Sequence, residues 1–394
     1  MSDDLGLSFD DGEGERGRHR HRRRPGGSGG GKTAVALIVV VAILGCVGGG
    51  VWYGFDKIQN LLAAPDYNSG GSGEVQVQIL ANQSATAIGA ELEKLDVVKS
   101  QKAFVQAAKE NPRSKEIQPG VYKLRKQMRA ADALLLLLDR DQSRQVLKFT
   151  VPEGKTVIDT LAIIAKETKI PLADLQAAAK DPKALGVPDF WFKRNDGKQV
   201  TPSVEGFLFP QTYEFDPGTN AKQMLTEMVG HFMEVATTLK FVDRVQAERG
   251  ISPYEALIAA SLSQAEAGVA EDLAKIARVT YNRVYKVKIP LQYDVTANYW
   301  LQLNGKAMKP SSQLTQAELD DKNSPYNTWS VKGLPAGPIN NPGEGALKGA
   351  MEPPAGDWIF FVAIDKAGHS AFATTDAEHE ANKKIACQNG VLTC

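Results

Sequence analysis

A single carboxylate, Glu266, stands in the stretch Ser261-Leu-Ser-Gln-Ala-Glu-Ala-Gly268, among Ala, Leu and Ser and just ahead of a glycine. An isolated acid in such company is a candidate proton donor. At the C-terminal end of a helix, the partial negative charge of the last carbonyls disfavours a second negative charge. Neighbours of this kind supply no cation, and partial burial raises a carboxyl pKa further. Both effects hold a carboxylic acid neutral near neutral pH, the state a general acid needs. The competing reading is a solvent-facing glutamate paired with Lys275 or Arg278.

The elements around it must do the positioning. Ser252-Pro-Tyr-Glu255 predicts a helix start, with Ser252 as cap, Pro253 at the first helical position and Glu255 in the first turn. The helix is expected to run through Ala267 and stop at Gly268 in a left-handed conformation. Glu266 then falls in the last turn, on the face of Ala259, Leu262 and Ser263. A second helix follows, with Glu271 and Asp272 in its first turn and an apolar face of Leu273, Ile276, Ala277, Thr280, Tyr281 and Val284. Asn282 and Arg283 lie on other faces, within reach of a groove. Three Pro/Gly-marked segments come next: Ile289–Asp294, Ser324–Thr328 and Gly333–Gly343. They are stiff without being regular, and their Tyr, Asn and Gln side chains suit a sugar's hydroxyls and weakly apolar faces. Trp358–Val362 predicts a core strand, and Gly368–Phe372 a turn into another.

The chain of 394 residues has room for more than one domain, and its zero formal charge hides an asymmetry. Residues 3–15 carry only acids, and Arg16–Arg24 is a basic tract. Residues 1–32 therefore read as a disordered cytoplasmic segment. Residues 33–55 hold no charge, are long enough to span a bilayer, and end with Trp52 and Tyr53 for the far interface. Arginines before this run and few cations after it place the N-terminus in the cytoplasm and the rest outside, in the cell membrane's outer compartment. The tract reads as a topology signal, with no nucleic-acid partner. Ile43-Leu-Gly-Cys46 loosely resembles a lipoprotein processing site, but the long leader and the continuing apolar run favour an uncleaved anchor. Cys387 and Cys394 are spaced for a small disulfide loop. No cysteine spacing suggests zinc, and His369 and His379 lack the acid–histidine helix pattern of a metalloenzyme.

The exported part is expected to be α+β. After a linker at 56–73 comes a strand from Glu74, a helix capped by Ser84, a helix at Gln101–Glu110, a strand at Pro119–Leu124 and a helix at Ala130–Asp139. This unit, 74–143, resembles a LysM-like module; a plain packing domain is the alternative. Residues 144–394 form the larger domain, opening with a strand near Gln145–Gly154. Helices Val157–Thr168 and Leu172–Ala179 follow, then Val204–Phe215 as loop and strand broken at Pro210, then a helix over Lys222–Lys240.

These parts in order resemble the YceG-like endolytic murein transglycosylases. The resemblance spans residues 74 to about 382 and is carried by VPEG at 151–154, EGFLFPQTY at 205–213, ALIAASLSQAEAG at 256–268, VTYNR at 279–283, LQYD at 291–294, PYNT at 325–328, GLPAGPINNPG at 333–343 and GHSAF at 368–372. It implies a catalytic Glu266; many relatives show Glu-Lys-Glu-Thr where this chain has Gln264-Ala-Glu-Ala267. It further implies Asn282, Gln292, Asp294, Tyr326 and Asn327 as substrate-binding or supporting residues, peptidoglycan glycan strands as substrate, no cofactor or metal, and work beside peptidoglycan synthases. The implied reaction needs one carboxylate. An ordinary glycosidase needs two, about 5–5.5 Å apart if retaining or about 6.5–9.5 Å if inverting, and Asp294 is the second acid such a muramidase would use. A wall-binding scaffold with Glu266 as a spectator is the remaining alternative.

Overall fold

The structure, a computed structural model, describes residues 64–393. The expectations for the N-terminal segment and the anchor at 33–55 lie outside the described residues; among those described, no helix is long and apolar enough to cross a membrane.

The first strand, β1 (Gly70–Ile79), buries Val77 and Ile79 and runs antiparallel to β2 (Gly120–Met128), with Val77 opposite Tyr122. Between them lie α1 (Ala85–Lys94) and α2 (Gln101–Glu110), where Ser84 and Ser100 cap the first turns by accepting from the amides of Ala87 and Ala103. A third helix, α3 (Ala130–Leu138), leads to β3 (Arg144–Gln145), which pairs with β2 and completes a sheet of order β1-β2-β3. The glycine-serine run expected as a tether to residue 73 is strand from Gly70 on. Gly71 and Gly73 take positive φ, and the register shifts between Ser72 and Val75, so a spacer-like composition here builds a bulge.

The second sheet begins two residues beyond β3: β4 (Leu147–Thr150) pairs with β5 (Thr212–Phe215), Phe149 opposite Tyr213. Helices α4 (Val157–Thr168) and α5 (Leu172–Ala179) span the expected residues, and α6 (Ala221–Thr238) starts from a capping box of Asn220 and Gln223. Met224, Met228 and Phe232 on α6 pack into a core centred on Trp191, whose ring meets Phe207 and Phe232 edge-on. Next come α7 (Phe241–Arg249), α8 (Pro253–Glu266) and α9 (Leu273–Tyr281), the last running on into a π-helical turn over Asn282–Val287. Every α8 residue from Pro253 to Ser263 is buried, so this helix is surrounded by protein on all sides.

The longer elements that follow are α10 (Asp294–Leu303), α11 (Glu344–Met351), which packs on α8 and α9, the antiparallel pair β6 (Phe360–Ala363) and β7 (Ser370–Ala373), and α12 (Asp376–Gln388). The segment expected as a core strand is instead a half-buried ribbon, whose Phe360 and Phe361 both line a cavity. The described chain is thus α+β, as expected. Cys387 is disulfide-bonded; the other two cysteines, Cys46 and Cys394, lie outside the described residues.

Candidate active site

The site is built outward from α8. Its start is fixed by the expected capping box: Ser252 Oγ accepts from Glu255 N, and Glu255 Oε2 accepts from Ser252 N at 2.8 Å and Asn195 N at 3.0 Å. The far half is clamped by the Gly333–Gly343 loop. Ser261 Oγ accepts from Ile339 N, Asn340 Nδ2 donates to Ser261 O, and Asn341 bridges Lys155 O to the amides of Gly206 and Leu208. Gln264 Oε1 accepts from Gly343 N at 3.0 Å, so this side chain serves the loop and not the cavity around Glu266.

The helix ends at Glu266, as expected, but not by the expected device. Ala267 is the capping residue with φ −76° and ψ 125°, and Gly268 is not left-handed. Its glycine is required by a close approach instead: a Cβ there would stand 2.5 Å from Gly368 O. The backbones of Gly268 and Gly368 pack directly against each other, and Gly368 takes φ +94°.

Glu266 is half-buried, and no hydrogen bond or ion pair reaches its carboxyl among the described residues. The cations considered as partners are committed elsewhere. Lys275 sits 3.4 Å from Asp272, and Arg278 donates to the carbonyls of Pro353 and Pro354. Burial, and secondarily the charge of Asp294, push the Glu266 carboxyl up to about 8. It lines a cavity of about 590 Å³ together with Gln292, Asp294, Arg283, Trp329, Phe360 and Phe361, and with the charged face of α12.

Asp294 opens α10, where unpaired amides favour a negative charge, while Glu266 closes α8, where unpaired carbonyls oppose one. The two carboxyls share one cavity, and the charge of Asp294 adds to burial in raising that of Glu266. Gln292 is held at φ +57° with its amide on Thr328 O, a strained backbone beside the cavity.

Of the residues singled out in the sequence, Glu266, Gln292 and Asp294 share this cavity. Asn282, Tyr326 and Asn327 do not line it. Asn282 opens the π-helical turn and donates to Gly356 O and Trp358 O, tying down the strap that leads to β6. The Tyr326 ring meets Tyr299 edge-on at 4.8 Å. Asn327 Oδ1 accepts from the amides of Trp329 and Ser330, which fixes the backbone of Trp329. Unforeseen lining comes from Trp329, β6 and α12. Phe360 is sandwiched there, with the Arg283 guanidinium 5.3 Å from its centroid and His379 stacked at 4.9 Å. His379 is held below its ordinary pKa, by burial first and by the nearby Lys383. The one hint available was Arg283, already placed within reach of a groove.

Fold and site together define an α+β protein with an unpartnered, raised carboxyl at a helix end, in a cleft walled by aromatic and polar residues. A family model described as the YceG-like family matches residues 77–385. Over 344 residues the chain is 32% identical to the endolytic murein transglycosylase of Bacillus subtilis, covering 86% of this chain and 90% of that one. It is 27% identical to the endolytic murein transglycosylase of Streptococcus pneumoniae R6, covering 87% of this chain but 63% of that longer protein. A crystal structure of a putative YceG-like protein from Listeria monocytogenes superposes with a TM-score of 0.52 at 27% identity, covering 78% of this chain and 98% of that one. The chain belongs to the YceG-like family.

Proposed function

We propose that this protein is an endolytic peptidoglycan transglycosylase that cuts the β-1,4 bond between N-acetylmuramic acid and N-acetylglucosamine inside glycan strands, with Glu266 as acid and then base. The names of its Bacillus and pneumococcal relatives support the activity. The observation that carries the mechanism is the half-buried Glu266 carboxyl, unpartnered in a cleft and pushed up to about 8. Protonated, it donates to the bridging oxygen as the glycosidic bond breaks and positive charge grows at the anomeric carbon. The carboxylate so formed takes the proton from the 6-hydroxyl of the same muramic acid, whose oxygen bonds to that carbon and closes a 1,6-anhydro ring. No water is consumed, and Glu266 ends as it began. Asp294, in the same cavity, adds its Coulombic effect to burial in raising the proton affinity of Glu266.

The shared position of Asp294 also favours a second reading, a water-using muramidase with two carboxyls. Product mass separates them: an anhydro end is one water lighter than a reducing end. The test is digestion of purified peptidoglycan by the full chain and by Glu266→Gln, with products read by mass spectrometry. Anhydro products from the wild type alone are expected. Reducing ends would establish the muramidase, and undiminished cleavage by the variant would leave a wall-binding scaffold whose Glu266 is a spectator.

The same reading takes the β1-β2-β3 unit as LysM-like. It carries a larger cavity, about 1050 Å³, formed by the turn after β1 and the segment after α2, suited to holding glycan rather than cutting it. Size alone does not make that cavity the reactive one, since no unpartnered acid lines it. An anchor at 33–55 would hold the enzyme at the membrane face where synthases extend new strands.

A further inference from the structure

Arg283 is 7% exposed, lines the cavity beside Glu266, and has no carboxylate partner among the described residues. A cation this deeply set is costly unless its N–H groups are used. Its Nε donates to Ile359 O at 2.6 Å. Its Nη1 donates to Leu291 O at 2.6 Å and Pro290 O at 3.1 Å, and stands 3.4 Å from Gln292 Oε1. These bonds join two walls of the cleft, the Gln292 loop and the approach to β6. They leave Nη2 without a hydrogen-bond partner among the described residues. A clasp between walls accounts for Nε and Nη1, but not for a third donor edge left unused at a cavity.

We propose that Arg283 is a substrate-binding residue, donating through Nη2 to an acyl carbonyl oxygen carried by the amino sugar in the cleft. The proposal rests on the glycan-cleaving reading. Guanidinium only donates, and carbonyl oxygens only accept, whereas sugar hydroxyls do both; of the groups on such a strand, carbonyls match it best. Two such oxygens exist on an N-acetylmuramic acid unit, the 2-acetamido carbonyl and the lactyl carbonyl that bears the stem peptide. Held by a guanidinium already fixed to both walls, either one would set which glycosidic oxygen rests against Glu266.

The test measures KM and kcat for anhydro-product formation by the full chain on three substrates. These are intact strands, de-N-acetylated strands, and strands freed of stem peptide by an amidase, which turns the lactyl carbonyl into a carboxylate. If the acetamido oxygen is the ligand, de-N-acetylation raises the wild-type KM by roughly tenfold or more, the worth of one charge-assisted hydrogen bond, and amidase treatment does not. If the lactyl oxygen is the ligand, amidase treatment lowers KM, because a carboxylate meets the guanidinium, and de-N-acetylation leaves it unchanged. In either case Arg283→Lys raises KM on intact strands and removes that dependence on substrate. A wild-type KM equal on all three substrates overturns the proposal without any variant. So does an Arg283→Lys variant whose KM shifts by one common factor on all three, the mark of a wall clasp alone. A wild type that releases no anhydro product would sink the catalytic reading instead. Calorimetric binding of the three substrates would then judge Arg283 on its own.

Discussion

Glu205 and Glu266 are both carboxyls that burial pushes up to about 8, yet the two regions use that state in opposite ways. Glu205 is 3% exposed, and its oxygens accept from Val157 N at 2.9 and 3.1 Å and from Tyr299 OH at 2.9 Å. It fastens the first turn of α4 to α10 and has nothing left to give a substrate. Glu266 has no such partners and opens onto a cleft. A raised pKa therefore marks burial; reactivity lies in what burial leaves unsatisfied and reachable.

The sharpest way to break this comparison is to swap amides for acids. Glu266→Gln is expected to cut anhydro-product formation on the order of 10³-fold, with thermal stability equal or higher, measured by product mass spectrometry beside calorimetric melting. An activity loss accompanied by unfolding would make Glu266 another Glu205.

The next effect is in pH. A donor that must be protonated should lose kcat/KM about tenfold per pH unit above about 8. Stability should move with it. The folded protein keeps a proton on Glu266 that the unfolded chain releases above its ordinary 4.5, so stability declines as pH rises from about 4.5 to about 8 and is level beyond. Glu205 adds a decline of the same sign. Unfolding curves of Glu266→Gln across this window should show a slope shallower by one proton; an unchanged slope would place the Glu266 pKa near its ordinary value.

Glu205→Gln should cost about 1–3 kcal/mol through the bonds to Val157 and Tyr299, read by urea unfolding, while activity per folded molecule persists. Selective loss of activity at full stability would reverse the roles of the two glutamates. The smallest effect is expected from Gln264→Glu, which restores a second acid to the helix end. Because Gln264 Oε1 accepts from Gly343 N, and a carboxylate can do the same, the rate should change by no more than about threefold.

Much of the frame was legible because its signals are local. The boundaries of α4 and α5, the Ser252–Glu255 capping box and the position of Glu266 in the last turn follow from residues a few positions apart. What escaped depends on contacts across the chain. Arg283 meets Ile359, and Asn282 meets Trp358, each 76 residues away, so neither pairing is written in any short motif. The half-buried state of β6 and the arrival of α12 at the cleft have the same cause. Gly268 was read through helix-end conformation, a local rule, when a distant backbone decides it.

That contact has a mechanical side. Main chain touches main chain between Gly268 and Gly368, with no side chain between to yield, so the tip of the β6-β7 ribbon and the end of α8 must travel as one. Any force on the C-terminal segment, whether from a tether, a bound protein or a taut strand, would reach the acid through a rigid joint rather than a cushion.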